Sequence, residues 1–337
     1  MATKAQIAAN QLYAPVVPVP LWTASVLNVA PGALNTFINN WPKGPGIYET
    51  DLHLQLTLTV GTATGPITDG ILNYIKQITF KGDTKDTFVN QLSARAIVMG
   101  PSFIKSGGIT NFDQIAAASG VYDVWIKIYH WDPLEVRPED TFLDTRLYDQ
   151  LKLTISLGSM ADLFTTPGTA SVTATCDIQA WMSYDDMPAN VRTIGFTSYG
   201  TPGPQDVTQQ QYIQLVRDDS VLYKRIYLQT ASAGGGTWYG PNSDSIISQL
   251  FMTTTADTFL NGVPWENLQQ LSQERYKLAA VMAGRNVIDL TYARSNRSAL
   301  YSDRNNLRVA WTNAAGVVAG DTASIVTESY NKYSVAA

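Results

Sequence analysis

The chain has 337 residues, with 23 Lys and Arg against 28 Asp and Glu, giving a net charge of −5. Charged residues make up only 15% and hydrophobic residues 45%, which excludes a disordered polymer. One Cys (Cys176) and two His (His53 and His130) exclude an internal disulfide, a thiolate cluster and a multi-histidine metal centre, and the mild acidity argues against a dedicated nucleic-acid binder.

The polar start Met1–Asn10 lacks the basic and apolar pattern of a signal peptide, and no run of 18 apolar residues occurs. Synthesis in a cytoplasm without the usual export is therefore expected. Ala2–Leu12 allows a short helix. Pro15, Pro18 and Pro20 then forbid a continuous helix, so residues 1–22 read as an extended arm.

Asp51–Val60 alternates apolar and polar side chains, with Leu52, Leu54, Leu56, Leu58 and Val60 on one face of a half-buried strand. The same signal marks Tyr74–Phe80, Val121–Tyr129, Gln150–Leu157 and Ser171–Met182. It returns at Tyr212–Val216, Leu222–Leu228, Val287–Tyr292, Asn306–Trp311 and Ala323–Tyr330. Turn signals at Lys81–Asp83, Thr166–Gly168, Thr201–Pro204 and Gly234–Gly236 separate them. Helical spacing is sparse. Asn261–Ser272 is the best case, with Pro264 in the first turn and Trp265, Leu268 and Leu271 on one side. Phe88–Met99 is a weaker one.

Two segment pairs suggest a duplication. Ile75–Phe80 aligns with Tyr223–Leu228, and Leu147–Thr154 aligns with Leu300–Val309. Each half closes on a Thr/Ser-rich strand, Ser171–Met182 or Ala323–Tyr330. A boundary is expected in the polar stretch Tyr184–Asn190. The expected organisation is an all-β chain of two tandem eight-stranded jelly rolls with few short helices: an arm over 1–22, a first roll over 23–187 and a second over 188–337.

Motifs for chemistry are absent. No P-loop, dinucleotide fingerprint or Gly-x-Ser-x-Gly elbow occurs. Ser102–Lys105 matches Ser-x-x-Lys without its partner motifs. Glu135, Glu139, Asp140, Asp185, Asp186, Asp218 and Asp219 lie in loops and turns, where acids cap or solvate. No enzyme activity, cofactor or metal is expected.

One basic cluster stands apart. Between Glu274 and Arg308 the chain carries Arg275, Lys277, Arg285, Arg294, Arg297, Arg304 and Arg308 against Glu274, Asp289 and Asp303. Arg285, Arg294, Arg297, Arg304 and Arg308 are the candidate interface residues, facing an acidic neighbour, lipid headgroups or packaged nucleic acid. The plainer alternative is a solvated stretch whose arginines pair internally. The low overall charge reads in two ways as well: surface covered by neighbouring chains, or an extracellular β protein with a Thr/Ser/Tyr-rich face.

With the strand Tyr48–Val60, the paired segments, the helix near Pro264 and the two closing strands, the chain resembles the double jelly-roll major capsid proteins. That lineage includes adenovirus hexon and the tailless lipid-containing bacteriophages. The compact size resembles the Flavobacterium-infecting members of the latter. The likeness implies a homotrimer with a pseudo-hexagonal footprint in an icosahedral virion shell. Implied partners are neighbouring capsomers, minor capsid proteins such as penton and spike, and internal membrane lipids, with no sequence-specific nucleic acid. It also implies an arm at the base and towers that include Ala231–Ser245. The rival reading is a carbohydrate- or receptor-binding β-sandwich, spike-like or lectin-like, with Trp238 and Tyr239 as its best site.

Overall fold

The computed structural model describes residues 16–83, 86–107, 111–131, 141–184, 194–199, 210–215, 221–234, 240–254, 258–290, 300–301 and 307–331. The first half contains β1 (Val16–Val26), β2 (Leu34–Phe37), β3 (Gly46–Thr59), β4 (Thr64–Pro66), β5 (Ile75–Gly82), β6 (Asp86–Leu92), β7 (Gly120–Tyr129), β8 (Leu143–Asp144), β9 (Leu151–Leu157), β10 (Phe164–Thr166) and β11 (Ser171–Ser183). One sheet runs β1-β11-β3-β7, with β8 also on β3, and the strands facing it run β2-β9-β5-β6. Leu52, Leu54, Leu56 and Leu58 of β3 are buried between them with Ile78, Phe80, Leu153 and Ile155, as the alternation requires.

The second half contains β12 (Ile194–Tyr199), β13 (Gln210–Gln214), β14 (Val221–Ala231), β15 (Ile247–Thr253), β16 (Thr258–Pro264), β17 (Arg285–Asp289), β18 (Leu300–Tyr301), β19 (Arg308–Asn313) and β20 (Thr322–Asn331). Its sheets run β12-β20-β14-β17 and β13-β19-β15-β16, the same order position by position. Ile226, Leu228 and Ile325 face Leu250, Met252, Val309 and Trp311 in a second core. The chain is thus two jelly rolls of eight principal strands each.

The helices fall at matching places. After α1 (Gly70–Tyr74), the β6–β7 connection holds α2 (Ala94–Ile97), a π-type turn with Pro101, and α3 (Phe103–Lys105). The β16–β17 connection holds α4 (Trp265–Tyr276).

The two rolls share one sheet. β12 pairs in parallel with β6, Phe196 opposite Val89, so the inner sheet of the first roll continues into the second. Both rolls therefore point the same way. Val16, Ser183, Ile194 and Asn331 lie at one end, here the terminal end. The connections β6–β7, β14–β15 and β16–β17 lie at the other.

Several sequence expectations change. The arm over 1–22 is described only from Val16, and from there it is strand, paired along β11. β1 is an edge strand, which is where Pro18 and Pro20 are tolerated. Phe88–Met99 splits: β6 runs to Leu92, and the Ser93 hydroxyl then accepts from Ala96 N at 3.1 Å and starts the helix. Pro264 ends β16 and caps α4 instead of sitting in its first turn, and Leu271 is 52% exposed. The buried face of α4 is Trp265, Leu268, Gln269 and Ser272. The alignment of Ile75–Phe80 with Tyr223–Leu228 is overturned, because the first is the fourth principal strand of its roll and the second is the third of its own. The β9/β19 and β11/β20 pairs occupy equivalent places. Of the expected boundary Tyr184–Asn190 only Tyr184 is described, and the helix over 2–12 lies outside the described residues.

Cys176 of β11 is 0% exposed, and burial pushes its thiol up, Asp177 adding to the shift. Labelling of the native protein by a thiol reagent is expected to be slow and to become rapid and stoichiometric in denaturant. Fast labelling of folded protein would refute this packing.

Candidate functional site: a buried junction and two outer faces

Each roll covers one face of its sheets with its own core. The other face of β14 and β20 is covered by the first roll's α2–α3 segment. Tyr227, Val326 and Tyr330 pack there with Ala96, Ile97, Val98 and Met99 in one continuous cluster. Gly100 belongs to this contact: a Cβ on it would lie 3.0 Å from Gln229 Nε2.

Charges cross this junction inside the protein. Glu328 of β20 is fully buried and pairs with Lys105 of α3 at 3.0 Å and Arg225 of β14 at 3.1 Å. Its second oxygen accepts from the Tyr227 hydroxyl. Lys105 Nζ also donates to the Trp131 carbonyl at 3.1 Å and lies over the Phe196 ring. Arg225 continues to Asp289 at 3.4 Å, where Arg275 Nε donates at 2.8 Å and the Tyr276 hydroxyl at 2.7 Å. Burial would raise the Glu328 carboxyl, but the Lys105 and Arg225 charges outweigh it and hold it well below the usual carboxylate range. Burial, then the Arg225 charge, pushes Lys224 down to about 6.

The outer face of β1-β11-β3-β7 carries a second polar array. His53 stacks on Trp125 at 3.9 Å between centroids and lies between Asp123, at 2.8 Å, and Asp177, at 3.3 Å. Farther along β3, Lys127 Nζ meets Glu49 at 2.5 Å and Asp51 at 3.4 Å, and Trp181 Nε1 donates to Asp51 at 2.8 Å. Burial, then the neighbouring Asp51, lifts the Glu49 carboxyl far above its usual range despite Lys127. The face is acidic. The outer face of β13-β19-β15-β16 differs: Arg308 lies 3.9 Å over the ring of exposed Tyr212.

The expected site residues separate. Arg285 reaches inward across the junction, 4.6 Å over the Phe103 ring of the same chain. Arg308 is on the second roll's outer face. Arg294, Arg297 and Arg304 lie outside the described residues, as do Glu135, Glu139, Asp140, Asp185, Asp186, Asp218, Asp219, Trp238 and Tyr239. His130 is buried, 3.0 Å from the Thr50 hydroxyl, and burial drops it to about 3, so it is a neutral packing residue. Lys105, read only as the end of a Ser-x-x-Lys match, is a hub of the junction. Glu328 and Arg225 gave no sequence signal beyond being charged residues within apolar strands. No group of three or more His, Cys, Asp or Glu able to hold a metal occurs among the described residues.

Glu328→Gln leaves buried Lys105 without its carboxylate and Arg225 with Asp289 alone. Unfolding stability is expected to fall by about 3–5 kcal/mol in a denaturant titration; a loss under about 1 kcal/mol would show that the network is not coupled to folding. The Glu49 shift has the opposite pH sign. Its folded pKa is raised, so its stabilisation is present below the unfolded value of 4.5 and is lost as pH rises toward about 8. Glu49→Gln should flatten the loss of stability over that window, and unchanged slopes would exclude Glu49 as its source.

No protein-family model matches the chain, and no curated protein matches it in sequence. Solved structures do. The major capsid protein of Sulfolobus turreted icosahedral virus superposes with a TM-score of 0.71 at 14% identity, over 94% of this chain and 96% of that one. The PBCV-1 protein VP54 gives 0.61 at 9% identity, over 95% of each chain. The major capsid protein P2 of bacteriophage PM2 gives 0.58 at 13%, over 95% and 98%. The expected double jelly roll is thereby the fold that this chain shares with them.

Proposed function

We propose that this protein is the major capsid protein of an icosahedral virus, located in the virion shell and acting by assembly. The observation that carries the reading is the junction: two similar rolls joined through one sheet, pointing the same way, with their covered faces used up inside the chain. What remains for neighbours includes two outer faces of the first roll, those of β1-β11-β3-β7 and of β2-β9-β5-β6, and the outer face of β13-β19-β15-β16 on the second. On the first roll Asp123 and Asp177 flank His53 on one face and Lys81 and Lys152 stand exposed on the other, and the second roll carries Arg308 over Tyr212. Opposite signs on different faces favour head-to-tail contacts, which close into rings when the rotation permits.

Three chains meeting this way make a homotrimer of six rolls with a pseudo-hexagonal outline. In that arrangement Arg308 contributes to the contact between copies. The stretch holding Arg294, Arg297 and Arg304 is flanked by β17 and β19, whose facing ends lie toward the terminal end. It is proposed to meet neighbouring capsomers, minor capsid proteins or internal membrane lipids at the base. Ala231–Ser245 leaves β14 at the opposite end, in keeping with a tower.

Light scattering on a sizing column tests this directly. One chain is 36.8 kDa, and a stable species of about 110 kDa is expected. A monomer that persists at high concentration and across salt would overturn the trimer and turn attention to carbohydrate binding at exposed Trp125.

A further inference from the structure

The junction holds a cation that makes no ion pair among the described residues and shares its nearest acid with a second arginine. Arg285, the first residue of β17, is packed between Phe103 and Met99 of the first roll. It forms no ion pair among the described residues, and its Nε is buried without a hydrogen-bond partner. Asp69, the acid that acts on it across the junction, already pairs with Arg95 at 3.6 Å. Arg95 also donates to the Gly240 carbonyl at 3.0 Å and to Asn242 Oδ1 at 2.7 Å. Two arginines thus face one carboxylate, and burial followed by the Arg95 charge lowers Arg285 to about 10.

A cavity of about 320 Å3 opens beside this cation, between the two rolls at the end opposite the termini. Its walls are Phe103, Leu278, Val281 and Met282, and its polar groups are Asn242 and Arg285. Val281 is 44% exposed at its edge. The volume is roughly twice the ~150 Å3 that accommodates benzene, and it sits at the lower end of ligand pockets.

We propose that this cavity binds a small carboxylate carried on an apolar body, with Arg285 as its charge partner. A carboxylate matches the planar fork of a guanidinium and would neutralise the excess charge. The apolar walls disfavour a bare hydrated anion, whose dehydration nothing else in the cavity offsets. Neither reason depends on how the chain assembles.

The test uses the full chain with octanoate, octanol and inorganic phosphate, followed by calorimetry and melting temperature. Octanoate is expected to bind saturably and raise the melting temperature, with octanol and phosphate at least tenfold weaker. R285Q should lose at least tenfold in octanoate affinity, and R285K should keep part of it. V281W should block the cavity with the charge intact, which keeps the test decisive if R285Q folds poorly. Absent octanoate binding, or equal binding by R285Q and V281W, overturns the proposal. Phosphate binding as tightly as octanoate would assign a simple anion site and overturn the apolar part. If R285Q lowers the assembled mass without any octanoate, the carboxylate is a side chain of a second copy and the small-ligand proposal falls.

Discussion

The parallel pairing of β6 with β12 constrains everything else in this molecule. It fixes the two rolls side by side with the same polarity, so equivalent connections of both rolls emerge at the same end. It also joins an inner sheet of one roll to a sheet of the other, which leaves the far side of β14 and β20 in need of cover. The β6–β7 connection supplies that cover. Its Ser93 cap and the turn through Pro101 lay Ile97, Val98 and Met99 against Tyr227 and Val326. A jelly roll alone would not need a helical segment of this composition there.

The buried charges at the junction are better understood as a device for position than as a source of stability. A pair about 3 Å apart gains roughly 5 kcal/mol at an effective dielectric of 20. Removing each ion from water costs several kcal/mol. The two nearly cancel, so the attraction between the rolls rests on the apolar cluster around them. What the ions add is intolerance of sliding. Glu328 takes Lys105 from one roll and Arg225 from its own, and a shear that separates either leaves a charge buried in apolar surroundings. Apolar packing alone would permit neighbouring registers; the ions penalise them.

The principal strands were legible because their period of two is strong where one face meets a core, as in Leu52–Leu58. The edge strand β1 was not, since its prolines read as an extended arm and nothing local reports its pairing with β11. Pro18 and Pro20 suit that edge for the same reason that they looked non-structural. The duplication was half legible. Its closing strands carry a comparable Thr/Ser pattern, but the Lys-Arg-Ile segment matched the wrong strand, because short alternating stretches resemble one another whatever their place in a roll. The junction was illegible. Lys105, Arg225 and Glu328 are far apart in sequence, and a charged residue in a strand pattern ordinarily signals the solvent face. Here a second roll lies where solvent would be. The basic stretch suffered the same inversion at Arg285, which looked like an outward contact and points into the molecule.

The low charge of the chain gains a sharper meaning from this. Arg95, Lys105, Lys224 and Arg225 are among the 23 basic residues, and all four have buried side chains. Glu328, Asp144 and Asp162 are buried among the acids. Among the described residues the outer strand faces are therefore poorer in charge than the composition alone suggests, with Thr, Gln and Tyr at positions such as Thr57, Gln214 and Tyr212. Interfaces that form permanently are depleted of charge at their centres and enriched in aromatics, while the charges that remain orient the partners. In this chain acids collect on the outer face of β1-β11-β3-β7, while Lys81 and Lys152 stand on the first roll's other outer face and Arg308 on the second roll's. Such a surface is in keeping with the proposed assembly, in which copies of the chain would cover its side walls.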